Sequence, residues 1–202
     1  MVAPHGTNED DEQEEVSGVA EIHRTTMEPT KLELVARWLP QQPWWAGGDR
    51  APVLAPAGGF RLDDPDGEVG IELMIVTDAS GAAPVAYFVP LSYRGAPLDG
   101  AEGALLGTSE HGVLGRRWIY DGGADPVALA SLRAFGAGRV QAQDQNRSHE
   151  LDPSVTVTGG PGDEVELVRV LGGEPPAATG YVTAGWVLPD GTAQRGPVAL
   201  IR

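Results

Sequence analysis

Glu110, His111 and Asp121 are the residues whose chemical types could support proton transfer. Carboxylates and imidazoles serve as general acids and bases, and glycosidic hydrolysis needs two carboxyls about 5–10 Å apart across a cleft. No nucleophile or second histidine stands at a recognisable spacing from them. The stretch is therefore more typical of a strand with surface charges and a backbone-bonded histidine, and catalysis by Glu110, His111 and Asp121 is the weaker alternative.

Arginine and aromatic side chains surround the same stretch and could bind an anion, a sugar or a protein. A guanidinium group recognises anions through a planar fork of donors, and an aromatic ring offers a flat apolar face. The candidates for such a ligand or partner surface are Arg94, Arg116, Arg117, Trp118 and Tyr120.

Trp38, Trp44 and Trp45 place three of the five tryptophans in one short segment. Tryptophans stack on sugar rings or anchor partner proteins, so these three join the candidate ligand or partner surface. They can equally fill a core beneath a helix end. Because large aromatic side chains are mostly buried, core packing is the favoured interpretation.

No other motif predicts a metal or a cofactor. The acidic turn at 63–68 holds only a fragment of a calcium-binding loop, and Gly159-Gly160-Pro161-Gly162 lacks the Gly-Lys-Ser/Thr ending of a phosphate-binding loop. His5, His23 and His149 are scattered, and the chain has no cysteine. We therefore expect neither a bound metal nor a cofactor.

Composition limits the compartment and the partners of the protein. The net charge of −15 repels nucleic acid phosphates and anionic lipid headgroups, so neither is an expected partner. The sequence has no apolar stretch long enough to span a membrane and no secretory leader pattern, which together with the lack of cysteine predicts a cytoplasmic protein. A length of 202 residues predicts one domain at 20–202 after an acidic, disordered tail at 1–19.

Periodicity predicts an α+β fold with a mainly antiparallel sheet and two principal helices. Thr30 and Glu33 form a capping box that starts a helix at about 30–39, and Asp125-Pro126 starts a helix at about 125–136. Gly58-Gly59 is predicted to be a turn. Strands are predicted at 20–23, 60–62, 69–76, 85–91, 116–120, 139–143, 154–158, 164–171, 181–188 and 194–201.

Several stretches resemble one known family. They are residues 29–34, 38–40, 44–45, 59–72, 93–98, 110–115 and 118–122, with Asp125-Pro126 after them. From about residue 20 the chain resembles short standalone proteins similar to the maltokinase N-terminal cap domain, some of which are labelled 1,4-alpha-glucan branching proteins. The resemblance implies a cap-like sheet with helices at about 20–150, followed by a β-rich part with hairpins at about 151–202.

The resemblance also implies a link to α-glucan, maltose or trehalose metabolism. Maltokinases phosphorylate maltose with ATP and carry their cap before the kinase lobes, and phosphoryl transfer needs a catalytic-loop aspartate, a metal-binding aspartate and a lysine. The sequence has no His-x-Asp catalytic loop, and Arg169 stands where a nucleotide-contacting lysine would be sought.

Three hypotheses follow from the sequence. The leading hypothesis is a non-catalytic accessory or binding protein whose partner is a glycogen- or trehalose-pathway enzyme or a saccharide. The alternatives are a small carbohydrate-active enzyme using Glu110 and Asp121, and a structural protein–protein interaction module. The sequence does not fix the oligomeric state.

Overall fold

The computed structural model describes residues 27–147 and 150–202. The predicted tail at 1–19, the predicted strand at 20–23 and His5, His23 and His149 lie outside these residues. The helices are α1 (Lys31–Trp38) and α2 (Pro126–Gly136). The strands are β1 (Met27–Glu28), β2 (Leu54–Leu62), β3 (Gly70–Asp78), β4 (Val85–Arg94), β5 (Leu105–His111), β6 (Gly115–Asp121), β7 (Gln143–Asp144), β8 (Thr156–Gly159), β9 (Val165–Leu167), β10 (Gly180–Val187) and β11 (Ala193–Ile201).

The strands form two antiparallel sheets, which confirms the predicted α+β class with a β-rich C-terminal part. Among the described residues, the larger sheet has seven strands in the order β1-β5-β6-β4-β3-β2-β7, and the smaller has four in the order β8-β10-β11-β9. The strands predicted at 69–76 and 85–91 are β3 and β4, which form an antiparallel hairpin that pairs continuously from Gly70 opposite Tyr93 to Asp78 opposite Val85. No helix among the described residues is long and apolar enough to cross a membrane.

The hairpin β3–β4 is buried on both faces of the larger sheet. On one face, called here the α1 face, Val76, Tyr87 and Val89 pack with Val35 and Trp38 of α1. On the opposite face, the α2 face, alternate residues of the same strands pack against α2 and the smaller sheet. This second set includes Ile71, Leu73, Ile75, Phe88, Leu132, Phe135, Val182, Trp186 and Ile201. The larger sheet is therefore the middle layer of three.

One stretch of backbone, 165–171, makes hydrogen bonds to both sheets. Its first residues form β9 and pair with β11, and the amide of Val168 donates to the carbonyl of Val198. The amide of Phe88 in β4 then donates to the carbonyl of Arg169, and Leu171 donates to Ala86. Strands that pass from one sheet to another form the corners of packed sheets. This segment thereby connects the two sheets through backbone hydrogen bonds.

Both helices begin at the residues that the sequence predicts. Thr30 and Glu33 form the capping box of α1. The carboxylate of Asp125 accepts from the amide of Val127 at 2.9 Å and caps α2, and it also accepts two hydrogen bonds of 2.7 Å from Arg94. Asp125 is fully buried. Burial raises the pKa of Asp125, but the hydrogen bonds from Arg94 and Val127 outweigh it and hold this pKa below its ordinary value.

A second buried carboxylate, Glu72, lies on the α1 face and fixes the first turn of α1. It accepts hydrogen bonds from the Lys31 ammonium, from the Tyr93 hydroxyl at 2.7 Å and from the Gln145 amide. Burial raises the pKa of Glu72, but Lys31, Tyr93 and Gln145 together favour the ionised form and lower the pKa overall. Burial and the neighbouring Glu72 charge raise the pKa of the Tyr93 hydroxyl well above its ordinary value.

The predicted turn at Gly58-Gly59 is wrong, because both residues lie inside β2. A bulge between Pro56 and Gly58 shifts the register there. A Cβ atom on Gly58 would lie 2.7 Å from the carbonyl oxygen of Gly185 in β10, so the two sheets approach closely at a residue without a side chain. Gly58 marks this close approach, and the glycine pair does not end the strand.

Other strand predictions also differ from the structure, and the predicted strand at 164–171 is a strand only at Val165–Leu167. Residues 139–143 are predicted as a strand, but only Gln143–Asp144 pairs with β2, since the amide of Arg139 closes the end of α2 by donating to Ala134. Strand β5 is not predicted at all. Its alternation is broken by a bulge between Leu105 and Gly107.

Replacing Asp125 with alanine is expected to lower the free energy of unfolding by about 3–5 kcal/mol, because the change leaves the Arg94 guanidinium buried without its partner and removes the cap of α2. Urea denaturation measures the loss. Asp125→Asn keeps a capping oxygen without the charge, so its free energy of unfolding should lie between those of Asp125→Ala and wild type. Glu110→Ala removes half of an exposed pair and is expected to cost at most about 1 kcal/mol. Equal losses for Asp125→Ala and Glu110→Ala would show that the buried pair of Asp125 and Arg94 does not stabilise the fold more than an exposed pair does.

Replacing Glu72 with glutamine is expected to flatten the acid side of the stability curve. A carboxylate with a lowered folded pKa stabilises the fold above its unfolded pKa of about 4.3, and that stability is lost as the pH falls through the folded pKa. Urea midpoints at several pH values from neutral down to about 3 measure the slope. An acid slope as steep in Glu72→Gln as in wild type would show that Glu72 does not contribute to it.

Candidate functional site

The predicted tryptophan surface is mostly a core structure. Trp38 is 6% exposed, and its ring packs edge-on against Trp44 with centroids 5.7 Å apart. Trp44 and Trp45 are half-buried, and both rings lie against Tyr87 at 5.8 and 5.5 Å. The Trp45 indole donates to the carbonyl of Gly48 at 3.0 Å. The three rings therefore cover the α1 face of β4, as the core-packing interpretation predicts.

Arg169 connects the crossing segment 165–171 to this aromatic cluster. Its guanidinium carbon lies 5.3 Å from the centroid of the Trp44 ring, and one of its nitrogens lies 2.5 Å from the carboxylate of Asp121. Both side chains of the ion pair are mostly buried. Asp121 also accepts from the amide of Gly123 at 3.2 Å. The predicted acid–base candidate Asp121 is thus the partner of a buried arginine.

Arg94 and Tyr120, predicted as surface residues, have structural contacts. Arg94 is held by Asp125, and the Tyr120 hydroxyl accepts from the amide of Leu98 at 2.9 Å. Tyr120 is 2% exposed, so its ring offers no surface to a ligand. Arg117 is half-buried on the α1 face and extends toward Gly95. These three positions support the sheet and the loop at 95–104.

The hairpin of β5 and β6 carries the remaining candidates. Glu110 and Arg116 lie directly opposite each other and form an exposed ion pair of 2.7 Å. In the turn, Nδ1 of His111 accepts from the amides of Val113 and Leu114 at 3.3 and 3.0 Å. In the structure this stretch is a charged surface strand followed by a turn in which a histidine is bonded to backbone amides.

Glu110 and Asp121 do not face a common cleft. Successive side chains of a strand point to opposite faces of its sheet. Arg116 and its partner Glu110 therefore lie on the α2 face, whereas Asp121 lies on the α1 face beside Leu91. The five residue-to-residue steps from Arg116 to Asp121 also span about 17 Å of strand. Glycosidases need their two carboxyls within about 10 Å, so this pair lacks the required geometry.

Trp118 differs from the other four tryptophans because it belongs to neither hydrophobic core. It is half-buried and makes no ring contact with any residue that the structure describes. In the register of the sheet, Thr108 lies opposite on one side and Arg94 on the other. We call this surface on the α2 face the Trp118 strip. It consists of Arg94, Thr108, Glu110, Arg116 and Trp118.

Sequence reasoning missed Thr108, because β5 was not recognised. It also missed Asp125 as the partner of Arg94, although Asp125 was identified as a helix cap. A separate groove of about 600 Å³ lies between the end of α2 and residues 151–161, and no sequence feature indicates it. Within residues 27–147 and 150–202, no group of three or more histidine, aspartate or glutamate side chains is arranged to hold a metal ion.

Residues 38–125 match the family model of the maltokinase N-terminal cap domain. The matched range begins at the last residue of α1, ends at the cap of α2, and includes strands β2 to β6 and the whole Trp118 strip. No curated protein and no solved structure shows a significant match to the chain. The match agrees with the resemblance seen in the sequence, and residues 38–125 of this chain are similar to the maltokinase N-terminal cap domain.

Proposed function

We propose that this chain is a non-catalytic accessory or binding protein of α-glucan, maltose or trehalose metabolism. The cap-like domain at 38–125 relates the chain to maltokinases. In maltokinases, as the resemblance implies, the cap lies outside the kinase lobes that carry out phosphoryl transfer. The protein would act by binding a saccharide or an enzyme of the glycogen or trehalose pathway. We further propose that it is cytoplasmic.

The observation that carries the proposal is the arrangement of the acid–base candidates. Asp121 is paired with Arg169, and Glu110 is paired with Arg116 on the opposite face of the sheet. The imidazole of His111 accepts backbone hydrogen bonds within its own turn. This arrangement supports binding over catalysis, because neither carboxylate faces the other across a cleft. It also argues against the alternative of a carbohydrate-active enzyme that uses Glu110 and Asp121.

A purely structural interaction module remains the second candidate, and a specific observation favours it in part. Trp38, Trp44 and Trp45 pack with Tyr87 in the core, as expected for a module whose aromatic rings are structural. Trp118 distinguishes the two candidates, because this half-buried indole contributes to neither core. A ligand-binding protein has a use for such a ring, whereas a scaffold does not require one.

Partner binding is tested by incubating the immobilised full chain with purified enzymes of the glycogen and trehalose pathways, alongside titration of the free chain with maltose and α-glucans. We expect at least one enzyme or saccharide to bind saturably. Albumin and cellobiose serve as the matched protein and saccharide controls. If neither an enzyme nor an α-linked saccharide bound above these controls, the proposed function would be rejected.

Catalysis is tested separately, by incubating the full chain with maltose and ATP or with a soluble α-glucan alone. We expect no phosphorylated sugar and no released oligosaccharide above the level of a heat-denatured sample, measured by mass spectrometry. Any turnover above that level would contradict the non-catalytic proposal, and its loss in both Glu110→Gln and Asp121→Asn would assign it to these two carboxylates.

A further inference from the structure

We infer that the Trp118 strip is a binding site for a neutral saccharide. The inference rests on the proposed function, and it specifies the chemical class of ligand and the side chains that contact it. It would assign the cap-like domain itself, rather than the smaller sheet, the role of contacting sugar.

The ring of Trp118 provides the apolar face that a sugar requires. Pyranose rings carry patches of C–H groups that pack flat on aromatic rings, and an indole adds one hydrogen-bond donor. The chain has five tryptophans, and the four other than Trp118 are engaged in the two cores. Its position on a paired strand of the sheet also holds it more rigidly than a loop would.

Polar side chains flank Trp118 on each side at the spacing of a sheet. Neighbouring strands lie about 4.8 Å apart, so Thr108 on β5 and Arg94 on β4 delimit a strip about 10 Å wide with Trp118 in its middle. Arg116 and Glu110 lie one step further along the same face. The width is close to that of one or two sugar rings, and hydroxyl, carboxylate and guanidinium groups are suited to bonding sugar hydroxyls.

The charge of the strip favours an uncharged ligand. Each arginine is neutralised by an acid, Arg116 by Glu110 and Arg94 by Asp125, both at 2.7 Å. The whole chain carries a net charge of −15, which repels phosphorylated sugars at long range. The strip therefore has no unpaired cation to attract a phosphate, and its hydrogen-bonding groups are suited to neutral hydroxyls.

The small apolar area of the strip favours a saccharide over a protein partner. A specific protein interface buries about 800 Å² on each partner and has a core of several apolar side chains. In the strip, one indole stands among four polar side chains, and the next residue on the same face, Tyr120, is covered by the loop that contains Leu98. One aromatic ring surrounded by polar groups fits a small polar ligand better than it fits a protein.

The test is titration of the full chain with maltose, maltotriose and maltoheptaose. Isothermal calorimetry and tryptophan fluorescence measure the binding during each titration. We expect saturable binding by wild type, and affinity about tenfold weaker in Trp118→Ala because the stacking surface is lost. Trp118→Phe should retain part of the affinity. Leu114→Ala removes an exposed apolar side chain from the same hairpin and should bind like wild type. Glucose 6-phosphate should bind more weakly than maltose.

Thr108→Arg provides a variant that keeps Trp118 and obstructs the strip, so it tests the site even if Trp118→Ala fails to fold. We expect it to lose saccharide binding while its urea midpoint stays near that of wild type, since Thr108 is exposed. Saccharide binding unchanged in both Trp118→Ala and Thr108→Arg would overturn the inference and leave the proposed function standing. Capture of a pathway enzyme without any saccharide binding would likewise overturn the inference and leave the proposed function standing. If the chain bound neither a pathway enzyme nor a saccharide, both the inference and the proposed function would be overturned.

Discussion

Burial of the β3–β4 hairpin on both faces is the constraint on which the rest of the structure depends. A strand that faces water on one side needs only one apolar face, but here both faces carry large apolar side chains, each worth about 1.5–3 kcal/mol when buried. The α1 face is covered by α1 and the tryptophan segment, and the α2 face by α2 and the smaller sheet. Most of α1, and all of α2 and the smaller sheet, lie outside residues 38–125, so the cap-like domain of this chain shares its core with the flanking segments.

Much of the fold was predictable because its signals are local. The capping box of α1 and the Asp125-Pro126 start of α2 depend on residues close in sequence, and the alternation in β3 and β4 indicates strands directly. The missed features depend on contacts between distant segments. Gly107 in β5 faces the Leu34 side chain, where a Cβ atom would lie 2.8 Å away, and the sequence contains nothing that indicates this neighbour.

The residue types of the candidate site were predictable from the sequence, but the side-chain contacts that these residues make were not. Sequence reasoning identified Trp118, Arg116 and Glu110, because unusual side chains cluster there. It could not distinguish Trp118 from the other aromatics, since burial depends on which face of the sheet each ring occupies. Nor could it show that Asp121 pairs with Arg169, 48 positions away along the chain. Long-range ion pairs change candidate catalytic groups into structural ones, and only the folded chain reveals them.

The passage of 165–171 from one sheet to the other has a consequence for how the protein opens. The same backbone stretch forms hydrogen bonds with β11 of the smaller sheet and with β4 of the larger sheet. Separating the stretch from one sheet would therefore also disturb its hydrogen bonds to the other. Hydrogen exchange resolves proteins into units that open together. The amides of Phe88 and Val168, one on each side of the crossing, are therefore expected to exchange in the same cooperative unit, which would make the two sheets a single body in their dynamics.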